Sequence, residues 1–245
     1  MLAEREWDAV IIGGGAAGLF CAGVAGQLGK KVLVLDHAEV LGEKIRISGG
    51  GRCNFTNIDS SPANFLSENP NFVKSAFSKY KPQDFIHLVK SYNIPFHEKH
   101  KGQLFCDVSA KQIVEMLFSE CQKGSVVIRH PVIVEGVAED GTSWLVQTNQ
   151  GVERTKAVVM ATGGLPVPAI GATDFALDVA KQFGLNVVDP RPALVPLSFT
   201  ADNFGDLSEL AGLSVPVRIV SGSKGHRYGA CRFNEDLLLT HKGLS

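Results

Sequence analysis

Three glycines and one carboxylate carry the first recognisable chemistry in this 245-residue chain. Gly13, Gly15 and Gly18 form G-x-G-x-x-G, and Asp36 follows 18 residues after Gly18. Residues of these types at this spacing suit a dinucleotide. Gly13 permits a tight turn, Gly15 lets the backbone approach a pyrophosphate, and Gly18 lets a helix pack closely on a sheet. With Gly14, Ala16 and Ala17 completing the turn, unpaired N–H groups and about half a positive charge from the helix dipole would face the phosphates, so no lysine is needed. Asp36 would accept hydrogen bonds from ribose hydroxyls, and an acid there disfavours a 2′-phosphate. A plain glycine turn is the alternative, and the ordered run of strand, glycines, helix, strand and acid argues against it.

Two further stretches have chemical potential. Leu41 to Asn57 reads LGEKIRISGGGRCNFTN, in which Gly49 to Gly51 allow a loop to come close to a ligand. Lys44, Ser48, Arg52 and Asn54 crowd that loop with groups suited to a phosphate or a ring edge. Cys53 invites a catalytic role, because Arg52 and a nearby helix start could lower its pKa. With no second cysteine at redox spacing, a packing or backbone-shaping role is the preferred reading. Ala161, Thr162, Gly163 and Gly164 end a strand where ligands of open α/β sheets sit, and an ordinary turn is the competing reading. The five scattered cysteines lack a C-x-x-C, and the His97/His100 pair lacks companions for a metal set. No order of serine, histidine and aspartate supports hydrolysis.

The positioning elements follow from periodicity. Ala9 to Ile12 and Val32 to Leu35 read as strands flanking a helix that starts near Ala16 and is stopped by Gly29. The 21 uncharged residues from Ala9 to Gly29 are too glycine-rich for a lipid-facing span. Asn71 to Asn93 predicts two helices separated near Pro82. Ser109 and Gln112 predict a capping box for a helix with an apolar stripe from Ile113 to Cys121, ended by Gly124. Val126 to Val159 predicts an antiparallel meander, returning to the main sheet through Ala157 to Met160. Thr173 would cap a helix running to Phe183. Asp189 to Pro196, with three prolines, reads as a linker before strand-like runs such as Val215 to Val220.

Composition limits the partners. An apolar content of 44% supports a sizeable core, and a net charge of −1 gives no broad basic field for nucleic acid. The start, MLAEREWDAV, has acids where a secretion signal needs a basic region, so a cytoplasmic protein is expected. The expected partner is a small-molecule substrate, with neither nucleic acid nor membrane.

The segment K-I-R-I-S-G-G-G-R-C-N-F-T-N after the Rossmann unit resembles the YhiN/BaiN-type flavoproteins, the aminoacetone-oxidase-like family of FAD-dependent oxidoreductases. Gly102 to Cys106, Ala161 to Gly164, Pro192 to Leu197 and Thr240 to Ser245 agree in order, so the resemblance covers essentially the whole chain. It implies an α/β fold: a Rossmann-like FAD-binding domain with an antiparallel meander (residues 1–190), followed by the start of a β-rich substrate domain (191–245). It implies FAD contacts at Gly13 to Gly18, Asp36, Lys44, Gly50, Arg52, Cys53, Asn54, Val134 and Ala161 to Gly164. It also implies flavin-mediated two-electron chemistry, NAD(P)H as a reductant, and a small amine or enone-like substrate. The family's T-H-x-G-L-S-G-P-like motif is cut at Ser245, so a truncated chain is expected. No catalytic role is assigned between residues 165 and 177, where Pro166, Asp174 and Ala176 depart from the family. A simple NAD-dependent dehydrogenase and a non-catalytic dinucleotide-binding fragment remain alternatives.

Overall fold

The computed structural model describes residues 6–192, 195–199, 205–222 and 230–245; Ala193 and Leu194 of the proline-rich motif lie outside the described residues. The chain divides into two compact units, Met1–Val187 and Val188–Ser245.

The first unit opens with β1 (Glu6–Trp7), β2 (Ala9–Ile12), α1 (Ala16–Gln27) and β3 (Val32–Leu35). Next come α2 (Glu43–Ile47), β4 (Asn54–Asn57), α3 (Lys74–Lys79), α4 (Pro82–Ser91), β5 (Phe96–Glu98), β6 (Gln103–Cys106) and α5 (Lys111–Lys123). β7 (Val127–Arg129), β8 (Val134–Asp140), β9 (Ser143–Thr148), β10 (Gly151–Thr155), β11 (Val158–Met160) and α6 (Phe175–Gln182) complete it.

Strands β11, β2, β3 and β7 form a parallel sheet in that order. Both faces are covered, which explains why AVII and VLVL are apolar without alternation. Ile11, Val32 and Val34 pack with Leu19 of α1 and Val114, Leu117 and Cys121 of α5. Val10, Ile12, Leu33 and Leu35 pack on the other side with Trp7, Val137 and Val146. Each such aliphatic side chain contributes about 1.5–3 kcal/mol on burial.

Some sequence expectations change. Val127 to Arg129 pairs parallel with β3, so the meander is β8–β9–β10, with β1 added parallel to β10. The 13-residue helix before β7 supplies the crossover that a parallel pairing needs. The Ser109/Gln112 capping box does not form. Ala110 takes the N-cap place, its N–H donating to the Gly51 carbonyl at 2.8 Å, while Ser109 Oγ accepts from Lys111 N–H at 3.2 Å. Asp174, not Thr173, stands at the N-cap of α6.

In the second unit, β12 (Leu197–Ser198), β13 (Ser214–Ser221), β14 (Cys231–Thr240) and β15 (Gly243–Leu244) form an antiparallel sheet ordered β12-β15-β14-β13. Among the described residues no helix is long and apolar enough to cross a membrane.

Candidate dinucleotide site

A cavity of about 1460 Å³ opens at the carboxyl ends of the parallel strands, where Ile12, Leu35 and Met160 line it. The start of α1 faces this space. Gly15 is the N-cap, no side chain caps the helix, and its first turn carries no acid, so the first N–H groups lack side-chain partners. Gly15, Ala16 and Ala17 line the cavity, and the Cβ position on Gly15 meets no heavy atom within 4 Å. This is the geometry of an anion site at a helix end.

The other two glycines of the motif hold that geometry. Gly13 lines the cavity with φ +114°, and a side chain there would come within 2.3 Å of the Ala161 carbonyl oxygen. The first glycine turn therefore packs directly on the Ala161 to Gly164 turn, a relation that the sequence does not reveal. Gly18 lies outside the lining. A Cβ on it would sit 1.8 Å from the Gly13 carbonyl oxygen, so the helix rests on the turn only with glycine there.

Gly14 also lies outside the lining. Its N–H donates to Asp36 Oδ2 at 2.5 Å, while Asp36 Oδ1 accepts from Ala38 N–H at 2.7 Å. Asp36 lines the cavity, and each carboxylate oxygen keeps acceptor capacity for a hydroxyl. Lys44 of α2 lines the cavity too, its Nζ donating to the Gly164 carbonyl at 2.9 Å. Gly164 itself is not part of the lining, whereas Val134, Ala161, Thr162 and Gly163 are. Thr162 Oγ1 is buried and has no hydrogen-bond partner among the described residues. Such an orphaned hydroxyl costs about 1–3 kcal/mol unless a ligand satisfies it.

The glycine-rich loop reaches the cavity through only some of its residues. Gly49, Gly50 and Gly51 all have positive φ, and Cys53 N–H closes the turn onto the Ser48 carbonyl at 3.0 Å. This left-handed run carries Gly50 and Arg52 out of the cavity lining, while Cys53 and Asn54 return to it. The crowded glycine is Gly49, where a side chain would strike the Phe105 ring at 2.6 Å. Burial pushes the Cys53 thiol pKa up, against a hydrogen bond with Ser48 that lowers it. Cys106 is raised to about 11 by burial, then by Cys53 and Asp107. Neither is a thiolate at neutral pH, in keeping with the packing reading of Cys53.

Sequence reasoning missed an aromatic wall of the same cavity, formed by Phe20, Phe55, Phe65, Phe77, Tyr80 and Phe85. These residues belong to separate elements, and no local pattern links them.

The fold and the cradle at the start of α1 define a Rossmann-like FAD-binding domain. Residues 7–242 match the HI0933-like protein Rossmann domain, and the chain belongs to that family. It is 46% identical over 241 residues to a ribosomal RNA dihydrouridine synthase of Escherichia coli, covering 98% of this chain and 59% of that protein. A protein of the same name from Haemophilus influenzae is also 46% identical over 241 residues, covering 96% and 58%. A 3-dehydro-bile acid delta(4,6)-reductase of Clostridium scindens is 24% identical over 214 residues, covering 86% and 51%. The chain thus spans between half and three-fifths of the length of these curated relatives.

Proposed function

We propose that this chain holds FAD and serves an oxidoreductase that reduces a carbon–carbon double bond conjugated to a carbonyl. The observation that carries the cofactor assignment is the buried, unpartnered Thr162 hydroxyl in the cavity wall. In this reading Gly15, Ala16 and Ala17 present N–H groups to the pyrophosphate, and Asp36 accepts from the adenosine ribose. Thr162 and Gly163 hold the ligand from the second turn. Lys44, Cys53, Asn54 and Val134 complete its walls. When bound and reduced by NAD(P)H, FAD would supply the hydride chemistry that, with one proton, saturates such a bond. The chain's own work is to bind, orient and shield.

The bond class is supported by the names of the relatives. Dihydrouridine is uridine with its ring double bond, conjugated to a carbonyl, saturated; a 3-dehydro-delta(4,6) bile acid carries double bonds conjugated to its ketone. The test is the visible spectrum of the purified 245-residue protein, followed by release and identification of its nucleotide. FAD near one per chain, bleached anaerobically by NADH or NADPH, is the expected result. A colourless protein that takes up no added FAD defeats the reading. Retention of NAD alone favours a simple dehydrogenase. FAD without reduction by either nicotinamide favours a dinucleotide-binding piece without turnover.

A further inference from the structure

We propose that a second, smaller cavity of the first unit binds a free amino acid with an apolar side chain. This cavity, of about 430 Å³, shares no lining residue with the larger one. Its volume falls within the roughly 300–1,000 Å³ of small-molecule clefts. The proposal goes beyond the flavin reading and does not depend on it.

The walls divide by charge. Helix α4 lines the cavity with Gln83, Ile86, His87 and Lys90, one face of successive turns. Neither the His87 ring nor the Lys90 ammonium has a hydrogen bond or ion pair among the described residues. Strand β5 supplies acceptors instead. His97 Nδ1 lies 2.6 Å from Asp107 Oδ1, and with Nδ1–H donating to that carboxylate the neutral ring keeps Nε2 as an acceptor. Glu98 Oε1 accepts the Gly102 N–H at 3.0 Å, which fixes the carboxylate and leaves Oε2 for a ligand. Ile58, Ile86, Phe96 and Leu104 add an apolar surface, Leu104 being buried and the other three half-buried.

A zwitterion answers all three kinds of wall. Lys90 and His87 suit its carboxylate, Glu98 and His97 its ammonium, and the apolar residues its side chain; charge-assisted hydrogen bonds of this kind are roughly twice as strong as neutral ones. Other small occupants match less of the cavity. Among the described residues no group of three or more His, Cys, Asp or Glu side chains could hold a metal ion, so His87, His97 and Glu98 are not a cation site. A phosphate dianion would be repelled by Glu98, and a simple carboxylic acid would leave Glu98 and His97 without a donor. The two cavities are neighbours: α4 also lines the larger one with Pro82 and Phe85, and Phe55 there meets Phe96 edge to face at 5.3 Å.

The test is calorimetric titration of the full 245-residue protein with L-leucine, FAD content being measured in every sample. One leucine per chain is expected. Isocaproate, which lacks the ammonium, and isoamylamine, which lacks the carboxylate, should each bind roughly tenfold more weakly or worse. Lys90→Met and Glu98→Gln should each weaken leucine by roughly tenfold or more, with FAD content as in wild type because neither residue lines the larger cavity. Absence of binding up to about 10 mM leucine overturns the proposal. So does isocaproate or inorganic phosphate binding as tightly as leucine, which would make the cavity a plain anion site. Leucine binding that neither variant alters overturns it as well, since the ligand would then sit elsewhere. A colourless wild-type protein that binds leucine through Lys90 and Glu98 would defeat the flavin reading and leave the amino-acid site standing.

Discussion

Two glycines of one motif should fail differently. Gly18→Ala puts a methyl group 1.8 Å from the Gly13 carbonyl oxygen, whereas Gly15→Ala meets nothing within 4 Å. The first should lose about 1–3 kcal/mol of stability, visible as a lower thermal midpoint without ligand. The second should fold as wild type and retain less flavin. Thr162→Val removes the orphaned hydroxyl, so its effects should carry opposite signs: the flavin-free protein gains about 1 kcal/mol, and FAD binds about tenfold more weakly. Thermal melts and flavin titration check both. The division of labour between Gly15 and Gly18 is readable from spacing, because each need is local. The exclusion of Gly50 and Arg52 from the lining is not, because the loop's path depends on Phe105 standing against Gly49 from a distant strand.

Among the elements, Glu120 of α5 gathers three donors, two of them from outside its own helix. Tyr92, just past α4, donates its hydroxyl at 2.5 Å, Lys123 its ammonium at 2.6 Å, and Gln27 of α1 its amide at 2.9 Å. Burial alone would raise the Glu120 pKa; the hydrogen bonds from Lys123, Tyr92 and Gln27 outweigh it and hold the carboxyl at about 2, below its ordinary 4.5. A lowered folded pKa gives stability that is present above pH about 4.5 and lost as pH falls toward 2. Glu120→Gln should therefore be less stable than wild type near neutrality, with the gap closing across that window. Denaturant midpoints at a series of pH values measure it. The helix itself is readable from its apolar stripe. Its cap is not, since the Gly51 carbonyl that takes the Ala110 N–H comes from another part of the chain.

At the scale of the molecule, every residue lining the cavity lies between Ile12 and Asp178, inside the first unit. A chain ending at Val187 should therefore keep its flavin, with the visible spectrum as the readout. Loss of colour on this cut would show that residues after 187 are needed. The α/β class, the βαβ core and the return strand are readable because their apolar runs and glycine punctuation are local. The aromatic wall is hidden because α1, β4, α3, α4 and the loops beside them each supply only one or two of its rings.

The packing of Gly13 against Ala161 also has a consequence in time. The two halves of the cradle stand about 150 residues apart, with Val10 paired to Val158 across the sheet. At roughly 5–20 residues per second, a ribosome leaves the first glycine turn without its partner for roughly 7–30 s. Through that interval β2 lacks its β11 neighbour, an edge open to other chains. The nascent protein cannot complete its cofactor cradle until this late strand has emerged, so flavin capture belongs to the closing stage of the first unit's synthesis.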